Sequence, residues 1–122
     1  MDHLQNDNLY ALATRFYNSG DFDKARALAK HLLYSAPPNA KYYKMMGATN
    51  QALEQYSFAI GAYQRAQLLD PQDANTAFCL GQCYYLLGDY VNAVMWLQVS
   101  YQADPQNERT GELLTAVLQK MN

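Results

Sequence analysis

Residues 47–63 read GATNQALEQYSFAIGAY. Two glycines, four alanines and two tyrosines stand close together, few charges interrupt them, and no catalytic dyad is present. Small residues let two helix backbones approach, so the stretch reads as the seam of a helical pair with part of it left as surface. A step of 34 residues in either direction supports this. Gly47 meets Ala13 and Gly81, Tyr56 meets Phe22 and Tyr90, and Ala59 meets Ala25 and Ala93. Pro37, Pro71 and Pro105 keep the same step, as do Asn39, Asp73 and Asn107. Several columns in one register mean a repeat, and a period of this size means stacked structural units.

Each unit predicts two helices. Asn39, Asp73 and Asn107 are N-caps, because their short side chains can accept from unpaired N–H groups of a helix start. Asp21 and Asp89 fill the same role for second helices. Gly20 and Gly88 suit the turn just before them. The prolines stop the second helices. The predicted spans are 6–18, 22–35, 40–53, 56–69, 74–87 and 90–103, with a last helix over 107–121. Leu113, Leu114, Val117, Leu118 and Met121 give that helix one apolar stripe. The fold class is all-α, with no competing strand signal.

These residues resemble the tetratricopeptide repeat, whose pattern is W-x2-L-G-x2-Y, then A-x3-F, then P. The third unit carries Leu80-Gly81, Tyr84, Ala93, Leu97 and Pro105. The second carries Met46-Gly47, Ala59, Tyr63 and Pro71, with Asn50 where Tyr is usual. The first carries Leu12-Ala13, Phe16, Ala25 and Pro37, with Ala29 at the large aromatic position. The resemblance implies one domain over residues 1–122: a right-handed superhelix of three tetratricopeptide repeats at 6–39, 40–73 and 74–107, plus a C-terminal capping helix. Tyr56, Tyr63, Tyr84 and Tyr90 are expected to fill gaps between units. The cap is expected to cover an apolar end face.

In this repeat class the first helices line the concave side. The corresponding positions here are Asp7, Tyr10, Thr14, Tyr17 and Asn18, then Lys41, Lys44, Ala48, Gln51 and Ala52, then Asn75, Phe78, Gln82, Tyr85 and Leu86. Aromatic walls make pockets for alternate side chains of an extended peptide, and amides can bond its backbone. Lateral packing between units is the other reading of these tyrosines. A subtype that clamps a C-terminal carboxylate needs Asn where this chain has Thr14 and Ala48, so that clamp is not expected.

The opening stretch also looks like the middle repeat of the class II chaperones of bacterial type III secretion, through Gly47, Ala48, Gln51, Ala52, Gln55, Tyr56, Ala59, Ile60 and Tyr63. Leu9–Ala25 resembles the first repeat of that family, and Phe78, Gln82-Cys83 and Gly88-Asp89 resemble the third. The resemblance implies a non-catalytic chaperone of the bacterial cytoplasm. It would hold an extended N-terminal segment of a hydrophobic translocator, often with a P-x-L-x-x-P-like motif, soluble and unassembled before export. The client-binding residues it implies are Tyr10, Thr14, Tyr17, Lys44, Ala48, Gln51, Phe78, Gln82 and Tyr85. Family members usually carry an N-terminal helical extension that helps dimerisation. Here the first repeat starts near Met1, which leaves a homodimer open. Two alternatives stand beside this reading: a general tetratricopeptide adaptor or scaffold, and a chaperone for a needle or other early export subunit.

Composition narrows the rest. The net charge is −2, with no clustered basic run, which argues against nucleic acid or an anionic membrane as partner. The start, MDHLQNDNLY, lacks the basic and apolar regions of a signal peptide, and no apolar run is long enough to span a bilayer. A cytosolic setting follows, and Cys79 and Cys83 suit it as free thiols. They stand one helical turn apart with no further ligand candidates nearby, so they read as small buried thiols rather than a zinc site or a disulfide. His3 and His31 are far apart in sequence, and His31 reads as solvated. Asp21, Asp23, Asp70 and Asp73 fall at helix ends, where capping explains them. No phosphate loop or nucleophile motif occurs, so neither enzyme activity nor a cofactor is expected. Trp96, with Met95, fits either a protein contact or packing under the last helix.

Overall fold

The computed structural model describes residues 3–122. The reading of Met1 and Asp2 in the polar start, and that of the His3 side chain, lies outside the described residues. Seven helices occur among them: α1 (His3–Asn18), α2 (Phe22–Ser35), α3 (Ala40–Ala52), α4 (Tyr56–Leu69), α5 (Ala74–Leu86), α6 (Tyr90–Ala103) and α7 (Glu108–Lys120). Each packs on its neighbour in the chain, and α1 also touches α3 while α5 touches α7. First helices therefore stand side by side, as stacked repeats require.

The caps explain the boundaries. Asn39 accepts from the Lys41 N–H, Asp73 from those of Asn75 and Thr76, and Asn107 from that of Arg109. Asp21 accepts from the Lys24 N–H and Asp89 from that of Asn92. Between the paired helices the three units turn in the same way. The N–H groups of Asp21, Gln55 and Asp89 return to the carbonyls of Phe16, Asn50 and Tyr84 at 2.8, 2.8 and 2.9 Å. This closure needs a left-handed residue just before the returning N–H. Gly20 and Gly88 supply it at φ 85° and 81°. In the second unit that residue is Glu54, at φ 61°.

The second turn departs from the others once more. Gln55 occupies the N-cap position of α4 and makes no side-chain cap. Its Oε1 instead accepts from Arg26 Nη1 at 2.9 Å, and the same nitrogen donates to Asn50 Oδ1 at 3.2 Å. Asn50, the departure from the repeat pattern, is thus buried and bonded to a guanidinium from the previous unit.

The core lies along the seams. Ala59, Ile60, Tyr63, Leu80 and Cys83 pack between repeats two and three, with Trp96 against them. Trp96 therefore belongs to this inter-repeat core rather than lying under the last helix. Met95 beside it is exposed. Phe78, Ala93, Leu97 and Val117 join repeat three to α7. Ser100 Oγ, donating to the Ala74 carbonyl at 2.9 Å and lying 3.3 Å from Thr110 Oγ1, ties α6, α5 and α7 together.

Candidate functional site

The first helices and the start of α7 enclose a cleft of about 490 Å³. Tyr10 and Tyr17 of α1 form one wall. Lys44, Met45, Ala48, Gln51 and Ala52 of α3 form the middle, and Asn75, Cys79 and Gln82 of α5 the far side. Tyr63 reaches in from α4 and Arg109 from α7.

Six of the nine residues expected to bind a client line this cleft: Tyr10, Tyr17, Lys44, Ala48, Gln51 and Gln82. The other three sit elsewhere. Thr14 donates its hydroxyl to the Tyr10 carbonyl at 3.0 Å, within its own helix. Tyr85 is half-buried beside Tyr90, ring centroids 5.8 Å apart. Phe78 is a correction. It is only 5% exposed, because α7 follows as an unpaired first helix and lays Val117 against the core in which Phe78 sits. The Arg109 guanidinium stands 4.7 Å over its ring.

The cleft carries a built polar floor. Tyr63 Oη donates to Gln51 Oε1 at 2.9 Å, and Gln51 Nε2 donates to Gln82 Oε1 at 2.6 Å. The chain of bonds runs one way, so the Gln82 amide nitrogen is left as a donor. Burial raises the Tyr63 phenol far above its ordinary value, with the neighbouring Cys79 adding to it, so the hydroxyl keeps its proton. Lys44 Nζ binds Asp73 Oδ2 at 2.6 Å. Tyr10 is steadied from outside the cleft by the Tyr42 ring at 5.8 Å and by Lys41 Nζ at 5.0 Å.

Burial holds both cysteines toward the protonated thiol. Burial pushes the Cys83 thiol up to about 12, helped by Cys79. Burial also raises Cys79, against the pull of Tyr63, Lys44 and Arg109. Among the described residues no group of three His, Cys, Asp or Glu is placed to hold a metal ion. None of the described helices is long and apolar enough to cross a membrane. His31 is exposed on α2.

Sequence reasoning missed Met45, Tyr63, Cys79 and Arg109 as cleft residues. For Arg109 a signal existed. It stands one period after Asn75 and two after Lys41, both groove positions in the register.

The family described as anaphase-promoting complex, cyclosome, subunit 3, matches residues 52–122, more than half of the chain. Low calcium response locus protein H of Yersinia pestis is 25% identical over 111 residues, which are 91% of this chain and 66% of that protein. The chain thus spans just under two thirds of that relative's length. The crystal structure of PcrH from Pseudomonas aeruginosa superposes with a TM-score of 0.91 at 25% identity, covering 97% of this chain and 95% of PcrH. The Yersinia enterocolitica type III secretion chaperone SycD, solved in complex with a peptide of the translocator YopD, superposes with a TM-score of 0.93. It is 22% identical, with 99% of this chain and 98% of SycD covered, and the likeness to it is one of fold.

Proposed function

The chain belongs to the tetratricopeptide-repeat family described as anaphase-promoting complex, cyclosome, subunit 3, and on that repeat framework we propose that it is a holding chaperone of type III secretion. It binds an extended segment of a hydrophobic, translocator-type client in the concave cleft and keeps it soluble and unassembled in the bacterial cytoplasm before export. The carrying observation is the cleft itself: a wall of two tyrosines, Tyr10 and Tyr17, beside a floor of amides. Such a surface takes apolar side chains between its rings and offers hydrogen bonds to a peptide backbone. SycD, of the same fold, is a type III secretion chaperone solved with a peptide of a translocator, which supports the reading. The proposed work is binding rather than catalysis.

Tyr10, Tyr17, Lys44, Ala48, Gln51 and Gln82 make the contacts in this proposal. The test is co-expression with a translocator from the same secretion system, reading the soluble fraction and co-purification of that client. The expected result is a client that is insoluble alone and soluble as a complex. Aromatic anchors of such interfaces carry about 2 kcal/mol or more, so Tyr10→Ala with Tyr17→Ala should lower client affinity at least tenfold, as a tenfold change is about 1.4 kcal/mol. An unchanged affinity would end the groove mechanism. A partner that stays soluble alone would favour the adaptor reading instead.

A further inference from the structure

The cleft has a charge opposite to that of the chain. The chain carries −2 overall, yet no Asp or Glu lines the cleft and two cations do, Lys44 and Arg109. Lys44 is already matched by Asp73 at 2.6 Å. Arg109 is not: the three side-chain ion pairs among the described residues are Lys24–Asp21, Arg26–Asp23 and Lys44–Asp73. What holds its guanidinium is the face of Phe78, 4.7 Å away. That cation–π contact steadies the group and leaves its N–H donors unspent.

The placement of Arg109 does not serve its own helix. Asn107 is the N-cap of α7, so Arg109 is the second helical residue. A cation in the first turn opposes the helix dipole, and an acid there would be favoured. A neutral donor for peptide carbonyls is already present in the Gln82 amide, whose oxygen is engaged by Gln51. Arg109 adds the one unmatched charge, in a planar fork that fits a carboxylate through two parallel hydrogen bonds.

Resting on the chaperone reading above, we propose that Arg109 is a specificity residue of the cleft, which receives the carboxylate of an Asp or Glu side chain in the extended client segment. Peptides of about 15 residues tiling the translocator recovered by co-expression test this. The tightest tile is labelled and titrated by fluorescence anisotropy, with each acidic residue also made as its amide and as Lys. For one acidic position the amide change should weaken binding about tenfold, the usual scale for a charge-assisted bond. Arg109→Gln should abolish that difference. Arg109→Glu should prefer the Lys peptide, and it keeps α7 folded because an acid suits a helix start. That reversal is something a merely structural role for Arg109 would not produce. Tight tiles with no acidic residue, or an acid preference that survives Arg109→Gln, overturn the inference and leave the chaperone reading standing. If co-expression recovers no translocator, the chaperone reading fails and takes this inference with it, whereas a recovered translocator none of whose tiles binds overturns this inference alone.

Discussion

Tyr63 packs its ring against the backbone of Gly47 so closely that a Cβ at position 47 would lie 2.7 Å from Cδ1 and Cε1. The third unit repeats the relationship, with Gly81 against Leu97 Cγ at 2.6 Å. In the first unit the same two positions are Ala13 and Ala29, both fully buried. A small residue opposite allows the extra methyl there. Two positions of the repeat thus trade volume, and the repeat tolerates either arrangement.

A Gly47→Ala change should therefore destabilise the fold, although alanine favours helix. Tyr63 cannot swing away without breaking its 2.9 Å bond to Gln51. Overpacking of this kind costs about 1–3 kcal/mol. Gly61, in α4, has nothing within 4 Å of its would-be Cβ. Gly61→Ala should instead stabilise by up to about 1 kcal/mol. Urea midpoints of the two variants should move in opposite directions from wild type. A Gly47→Ala protein as stable as wild type would show that the seam is looser than this geometry requires.

Glu54 should be improvable. It holds φ at 61°, the left-handed region that Gly20 and Gly88 fill in the other two units. A side chain in that region costs about 1–2 kcal/mol, and glycine gives part of the relief back through the freedom it gains when unfolded. Glu54→Gly should raise stability by about 0.5–1 kcal/mol. Thermal unfolding followed by circular dichroism decides it. A fall in Tm would mean that the Glu54 side chain makes a stabilising contribution that outweighs the strain.

The repeat itself was legible because stacking leaves marks at fixed intervals. The Gly47 and Gly81 column records a backbone approach, and the Asn39, Asp73 and Asn107 column records helix starts. Half-visible features are those where two constraints meet. Tyr63 reads as seam, and its ring is seam, but its hydroxyl extends to the cleft floor at Gln51. Phe78 occupies a groove position by register, yet it is the last unit's neighbour, α7, that decides its exposure. Arg109 is masked in the sequence because the apolar stripe dominates the last helix, although the repeat register continues into it. Turn two hid a different kind of fact. Gln55 and Asn50 look like lost repeat residues until Arg26, more than twenty positions earlier in the chain, is brought against them at 2.9 and 3.2 Å.

Asp73 makes the acid limb of the stability curve predictable. Its carboxylate caps α5 through the Asn75 N–H at 3.0 Å, accepts from Thr76 Oγ1 at 3.0 Å and binds Lys44 Nζ at 2.6 Å. Burial alone would raise its pKa, but the Lys44 bond and charge, with the Thr76 and Asn75 donors, outweigh burial and hold it below the usual carboxylate range. The folded state then resists protonation more than the unfolded chain does. The stabilisation is complete above the unfolded pKa and is lost as pH falls through the lower, folded one. Asp73→Asn keeps an N-cap but removes the titration. The Tm gap between wild type and Asp73→Asn should be constant from neutral pH down to about 5 and should shrink below about 4. Lys44→Met should narrow the same gap, since it removes the largest favourable partner. A gap that stays constant to pH 2.5 in both comparisons would mean that Asp73 titrates alike in the folded and unfolded chain, and that the Lys44 pair adds nothing to holding repeats two and three together.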